Sequence, residues 1–159
     1  MSPRTPNYLL LGQLRREYLI TAQDQVYIDQ PGGNLLYAAG GLSIWLGEDD
    51  QVGLVARVGE DYPHHWLDQF AARGLNVAGV RILPRSVDLR QFIAYTGLRE
   101  RALGEPVKHF ARLNLSIPKS LLGYQSDEDQ LDDLQEPREV TLRQADIPSD
   151  YGYASAAHL

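Results

Sequence analysis

Gly32 and Gly33 stand directly before a largely apolar run from Asn34 to Leu46, which Gly47 closes. Glycine takes φ > 0 readily and lets another group come close to the backbone. Where such a turn feeds a helix, the first amides lack partners in the helix and can serve polar or anionic groups. The chemistry this spacing offers is the holding of a polar ligand; a purely structural turn is the alternative. No Gly-Lys-Ser/Thr follows, so this is not a Walker A loop, and the spacing of a dinucleotide fingerprint is absent.

Three carboxylates stand near the ends of strand-like runs. Glu17 comes after the first such run and a turn, and Glu60 and Asp61 follow the run 52–58. Open α/β sheets take ligands outside the carboxyl ends of their strands, where a carboxylate accepts hydrogen bonds from a polyol. Asp61 can equally cap a helix starting near Pro63. His64 and His65 are neighbours, and adjacent helical side chains diverge by about 100°, so they chelate poorly. His109 and His158 are isolated, no H-E-x-x-H motif occurs, and no metal site is expected. Arg57, inside a strand-like run, needs a partner, and a structural ion pair is the default. The acidic segment 127–136 lacks calcium-loop spacing. No nucleophile elbow is present, and no catalytic residue is assigned.

The elements that must position these residues follow from pattern. Tyr8–Leu11 reads as a buried strand stopped by Gly12. The runs 17–21 and 25–30 form a hairpin, with 26–29 alternating as on a half-exposed sheet, and Pro31 ends it. A helix is expected over about 34–46, ending at Gly47 in C′ style. Its apolar residues lie nearly all round, which predicts a buried helix. Gly40 and Gly41 inside it cost about 1 kcal/mol each against alanine, and close packing on a sheet is the expected offset. Residues 52–58, 64–73 and 77–83 read as strand, helix and strand, with Pro63 in the first helical turn and Gly74 as the stop. That is a βαβ unit, and it predicts α/β layering. Further strands are expected at 89–96, briefly at 140–142, and from 153 to the end. A strand cut at the terminus suggests a fragment or a tail.

Length and composition bound the rest. A chain of 159 residues, 43% hydrophobic and 23% charged, suits one soluble domain with a sizeable core. A net charge of −6 disfavours nonspecific nucleic-acid binding and an anionic membrane surface. No secretory signal pattern or membrane-length apolar run occurs. The absence of cysteine excludes disulfides and fits a reducing compartment, so a cytoplasmic location is expected.

Several stretches, in order, resemble the amino-terminal half of the ribokinase-like (PfkB) carbohydrate kinase family. They are Leu9-Leu10-Leu11-Gly12, the hairpin 17–30, Pro31-Gly32-Gly33 with Tyr37-Ala38-Ala39, Val58-Gly59-Glu60-Asp61, and Gly74-Leu75-Asn76-Val77-Ala78-Gly79-Val80. The last is similar to the family's G-V-D-x-x-G-V element, and Ala157-His158-Leu159 looks like the strand before its middle section. The resemblance covers most of residues 8–96. It implies an incomplete three-layer α/β/α sandwich with a small β-strand lid near 17–30 and 89–96, the whole of 1–159 being the amino-terminal part of a kinase domain.

By that resemblance Glu17, Gly32, Gly33 and Tyr37 are the substrate-binding positions. Glu17 stands where the family commonly has a sugar-binding aspartate, and Tyr37 where many members carry an asparagine. The glycine usual a few residues after Asp61 is absent. So is the Gly-Ala-Gly-Asp motif that supplies the family's base aspartate and the amides around the moving phosphate. The expectation is a fragment of an ATP-dependent kinase acting on a hydroxyl of a sugar or nucleoside-like substrate, inactive in isolation. ATP and Mg2+ are expected for the full-length parent and neither for this chain. The alternatives are a noncatalytic sugar- or nucleoside-binding module, or a structural domain that forms a homodimer through its lid strands.

Overall fold

The computed structural model describes residues 5–126 and 139–159; the acidic segment 127–136 lies outside them. The chain divides into two compact units. The first comprises 1–14, 32–89 and 138–159, the second 15–31 and 90–137.

The first unit is built on a parallel sheet. Its strands are β1 (Tyr8–Leu11), β4 (Val52–Gly59), β5 (Leu75–Leu83) and β8 (Ala156–His158), in the order β5-β4-β1-β8. Leu10 lies opposite Leu54 and, on its other side, His158. All of β4 is buried, as its unbroken apolar run requires of a central strand.

The two faces of β4 follow from its period of two. Val52, Leu54, Ala56 and Val58 join Leu10 in the main core. Helix α1 (Asn34–Ser43) covers it with Leu35 and Ala39, and α2 (His64–Ala72) with Trp66, Leu67 and Phe70. The alternate residues face the other way. There Leu9 and Val55 pack on Tyr151, and Gly53 and Gly79 leave room for its ring, which a Cβ at either position would meet at 2.9 Å. The third layer is thus the segment after Glu139, with 3-10 turns at Gln144–Asp146 and Ser149–Tyr153. The arrangement is the expected three-layer α/β/α sandwich of ribokinase-like kind, accompanied by a small strand sheet.

That small sheet belongs to the second unit. Its order is β3 (Val26–Gly32), β2 (Arg15–Ile20), β6 (Arg90–Tyr95), β7 (Arg101–Ala102). Strand β2 runs parallel to β6, Tyr18 opposite Phe92. Tyr18, Ile20, Phe92 and Ala94 bury one face against Phe110 of α3 (Pro106–Arg112) and Leu121. Arg16 donates from Nε and Nη2 to the two carboxylate oxygens of Asp29, each at 2.8 Å. Asp29 has φ 52°, which breaks the alternation expected of this strand, and both Tyr27 and Ile28 are exposed.

The βαβ unit 52–83 stands as expected, with Gly74 at φ 87° stopping α2. Five expectations are corrected. Helix α1 ends at Ser43 and is not a buried helix: Ile44 and Trp45 lie beyond it, 79% and 85% exposed. Only Leu35 and Ala39, at i and i+4, are fully buried, while Leu36, Ala38, Leu42 and Leu46 pack partly buried against the same core. Gly40 and Gly41 have nothing within 4 Å of an added Cβ, so no close packing offsets their cost. Gly47 is not at C′; its N–H donates to Asp50 Oδ2 at 2.9 Å in a separate turn. Residues 140–142 form no strand. Pro63 is the N-cap of α2 rather than its first residue, and Asp61 does not cap it; no side chain does. Among the described residues no helix is long and apolar enough to cross a membrane.

Candidate functional site

The glycine turn sits at the carboxyl end of the sheet. Strand β1 ends at Leu11, and the Gly12 N–H bonds the Val55 carbonyl at 3.1 Å. Gln13 then meets the start of α1. Its N–H donates to Asn34 Oδ1 at 2.8 Å, and its carbonyl accepts the Leu35 N–H at 3.4 Å. Gly33, the N-cap, has φ 101° and ψ 159°, a conformation open essentially to glycine alone. This double contact holds the turn beside the exit of β1, where parallel α/β sheets receive ligands.

The first turn of α1 offers fewer free amides than its sequence implies. The Leu35 N–H serves Gln13, and the Leu36 and Tyr37 N–H groups serve the Gly33 carbonyl at 3.1 and 3.3 Å. No acidic residue lies in this turn and no basic one at the helix end. The turn is therefore a steric device that admits a close neighbour more than an electrostatic one that attracts an anion.

Of the four expected substrate positions, Gly32, Gly33 and Tyr37 come together here. Gly32 and Gly33 are buried, and Tyr37 is 63% exposed. Glu17 belongs to the second unit. It lies within β2, opposite Gln91 of β6, and is buried, 5% exposed, rather than an open hairpin carboxylate. At the end of β4, Glu60 is exposed, and Asp61 Oδ1 accepts the Val87 N–H at 3.0 Å.

The remaining candidates have structural explanations. Arg57, facing the third layer, donates from Nε and Nη2 to the two oxygens of Asp146 at 2.7 and 2.9 Å. The hydrogen bonds from Arg57 hold the Asp146 carboxyl below the usual carboxylate range despite its burial. This is the ion pair that a strand arginine requires. His64 and His65 are exposed. His109 is buried against Phe92, and burial lowers its pKa below the ordinary histidine value. Among the described residues no group of three or more His, Asp or Glu side chains converges on a metal position. A cavity of about 480 Å³ is lined by Ala38 and Leu42 of α1, by Trp45 beyond its end, and by Leu10 and Ala157 on the sheet. Its apolar wall suits a polyol poorly. Asn34 and Gln13 escaped the sequence reading. An Asn at a helix start was the available signal for the first, while the second is recruited through its backbone and has none.

An open parallel sheet with a glycine turn at its carboxyl edge defines the class as a layered α/β fold. Solved structures of that fold are similar to this chain. A putative ribokinase II from E. coli, in complex with ATP and Mg2+, shares 18% identity over 62% of this chain and 33% of its own, with a TM-score of 0.48. A ribokinase from Cryptococcus neoformans in complex with ADP shares 15% over 62% and 34%, with a TM-score of 0.45. A Burkholderia thailandensis nucleoside kinase in complex with inosine shares 18% over 61% and 34%, with a TM-score of 0.45. The chain spans about a third of the length of these structures. No protein-family model matches the sequence, and no curated protein matches it.

Proposed function

We propose that this chain carries the alcohol-binding part of a PfkB-type carbohydrate kinase, and that the parent protein phosphorylates a hydroxyl of a sugar or nucleoside-like substrate. The observation that carries the reading is the Gly33 turn, locked at the exit of β1 with a backbone conformation only glycine takes up readily. The order of motifs from Leu9 to Val80 supports it. In this reading Gly32 and Gly33 let the sugar approach the backbone, Glu17 accepts hydrogen bonds from its hydroxyl groups, and Tyr37 shapes specificity in place of an asparagine.

The isolated chain lacks Gly-Ala-Gly-Asp. It therefore has no assigned base for the hydroxyl proton and no amide cradle for the moving phosphate, and in-line transfer fails without them. ATP and Mg2+ belong to the full-length parent.

Calorimetric titration with a panel of sugars and nucleosides tests the reading. Saturable binding, weakened by Gly33→Ala in a folded variant, is expected; no binding by any member refutes it. Sustained ATP-dependent phosphorylation by the purified chain would refute the claim of inactivity. A downstream Gly-Ala-Gly-Asp in the same reading frame is the expected genetic finding.

A further inference from the structure

Strand β8 leaves one edge of the parallel sheet open. It pairs with β1, and among the described residues no strand lies on its other side. All three of its residues are exposed. In a parallel pair the backbone groups of alternate residues face the neighbouring strand. The Ala156 N–H goes to the Asn7 carbonyl, so the N–H and C=O of Ala157 point outward from the edge. Proteins blunt such edges with lysine, proline, a bulge or a covering element. Ala156-Ala157-His158 has neither lysine nor proline, and its register with β1 is unbroken from Tyr8 to Leu10. The surface beside this edge is apolar. Ala156 and Ala157 line the cavity of about 480 Å³ together with Leu10, Leu42 and Trp45, and no carboxylate, lysine or arginine joins them among the described residues. Ile44 and Trp45 follow α1 with their side chains in solvent. A single exposed apolar residue is ordinary; an apolar groove with a large exposed aromatic and an unprotected strand edge marks an interaction surface.

We propose that this face pairs with the same face of a second copy of the chain, β8 against β8 antiparallel, about a twofold axis at Ala157. A twofold contact needs a self-complementary patch, and the open edge supplies one. Two Ala157 residues brought together exchange N–H···O=C bonds as a hydrogen-bonded antiparallel pair. The axis keeps both α1 helices on one side of the joined sheet. Helix α1 packs on β1. Strand β1 and its copy then stand three strand spacings apart, about 14 Å, against about 8–10 Å for helices in direct contact. A large apolar side chain from each copy closes that gap, and Trp45 stands on the groove where the gap falls. The area agrees with a copy as occupant. Trp45 offers about 200 Å², a quarter of the roughly 800 Å² that each partner of a stable complex buries, and Ile44, Leu42 and β8 add to it. The contact is separate from the lid strands and independent of the alcohol site.

The test is sedimentation velocity on the full chain over a range of concentrations, with tryptophan emission read in parallel. A concentration-dependent dimer is expected, with a blue shift on association from Trp45, since Trp66 is already buried. Trp45→Glu puts a charge on a side chain that the protomer leaves in solvent. Ala157→Pro removes the outward N–H, and an edge strand tolerates proline where that group faces solvent. Each variant is expected to weaken dimerisation by about tenfold or more, with the β4 amides as protected from exchange as in the wild type. Should Ala157→Pro lose that protection, Trp45→Glu decides alone. A monomer at every concentration overturns the inference. So does a dimer that either folded variant leaves intact, which would put the contact elsewhere, the lid strands included.

Discussion

Asp146→Ala should be among the most damaging single changes in the first unit. The Arg57 side chain is 8% exposed and that of Asp146 fully buried. Two short hydrogen bonds join them, and a third comes to Asp146 from the Arg143 N–H at 2.7 Å. Arg81 contributes little, since its side chain is half exposed and 3.4 Å away. Removing the carboxylate leaves a guanidinium buried in a central strand without its counter-charge, which costs about 3–5 kcal/mol. That is a large share of the roughly 5–15 kcal/mol by which domains are stable.

Replacing both partners with apolar residues, Arg57→Met with Asp146→Leu, should recover most of the loss, because the desolvation cost disappears with the charges. Urea titration followed by tryptophan fluorescence is the assay. Both tryptophans, Trp45 and Trp66, lie in the first unit, so the signal reports the unit concerned. The pH dependence has a definite sign. The carboxyl pKa of Asp146 is lowered in the folded state, so its contribution is complete above the unfolded carboxyl pKa and lost as pH falls through the folded one. A cost below 1 kcal/mol for Asp146→Ala at neutral pH, or an acid slope unchanged by the double substitution, would refute the reasoning.

Other outcomes follow from the same geometry. Gly41→Ala should stabilise by up to about 1 kcal/mol, since nothing stands within 4 Å of the new methyl group and the helix gains propensity; thermal unfolding checks it. Gly79→Ala should abolish soluble expression, because its Cβ would lie within overlap distance of the Leu54 carbonyl and 2.9 Å from the Tyr151 ring. Tyr151→Phe should cost about 1–3 kcal/mol in urea titrations, because the hydroxyl accepts the Gly79 N–H at 3.2 Å and donates to the Asn76 carbonyl at 2.9 Å. His109 is buried, with its pKa lowered in the folded state. The second unit should therefore lose stability as pH falls below the unfolded histidine value toward the folded one. Faster amide exchange in β2 and β6 at pH 5 than expected from pH 8, abolished by His109→Phe, is the check.

What was legible in the sequence was local. The run 52–58, the Pro63 and Gly74 punctuation, and the run 77–83 specify strand, helix and strand without reference to anything distant. The glycine turn was legible for the same reason. The burial of α1 was not: composition counts apolar residues, whereas burial depends on which face meets the sheet, and Leu35 and Ala39 took that face. Asp61 looked like a cap because a helix begins beside it, yet its oxygen serves Val87, 26 residues away. The partner of Arg57 stands 89 residues on, and no periodicity encodes such a distance. Within the site, Gly33 was found from its type, while the clasp between Gln13 and Asn34 depends on backbone groups that every residue carries.

The order β5-β4-β1-β8 has a kinetic side. Strands β4 and β5 with α2 between them are contiguous in the chain and close only a short loop. Pairing Tyr8 with Ala156 instead closes nearly the whole chain, and the entropy of that closure must be met before the contact repays it. The central βαβ unit should therefore be the early structure during refolding. The third layer and β8 would then complete the sheet late, with amide protection reaching Leu10 only after it is established at Leu54.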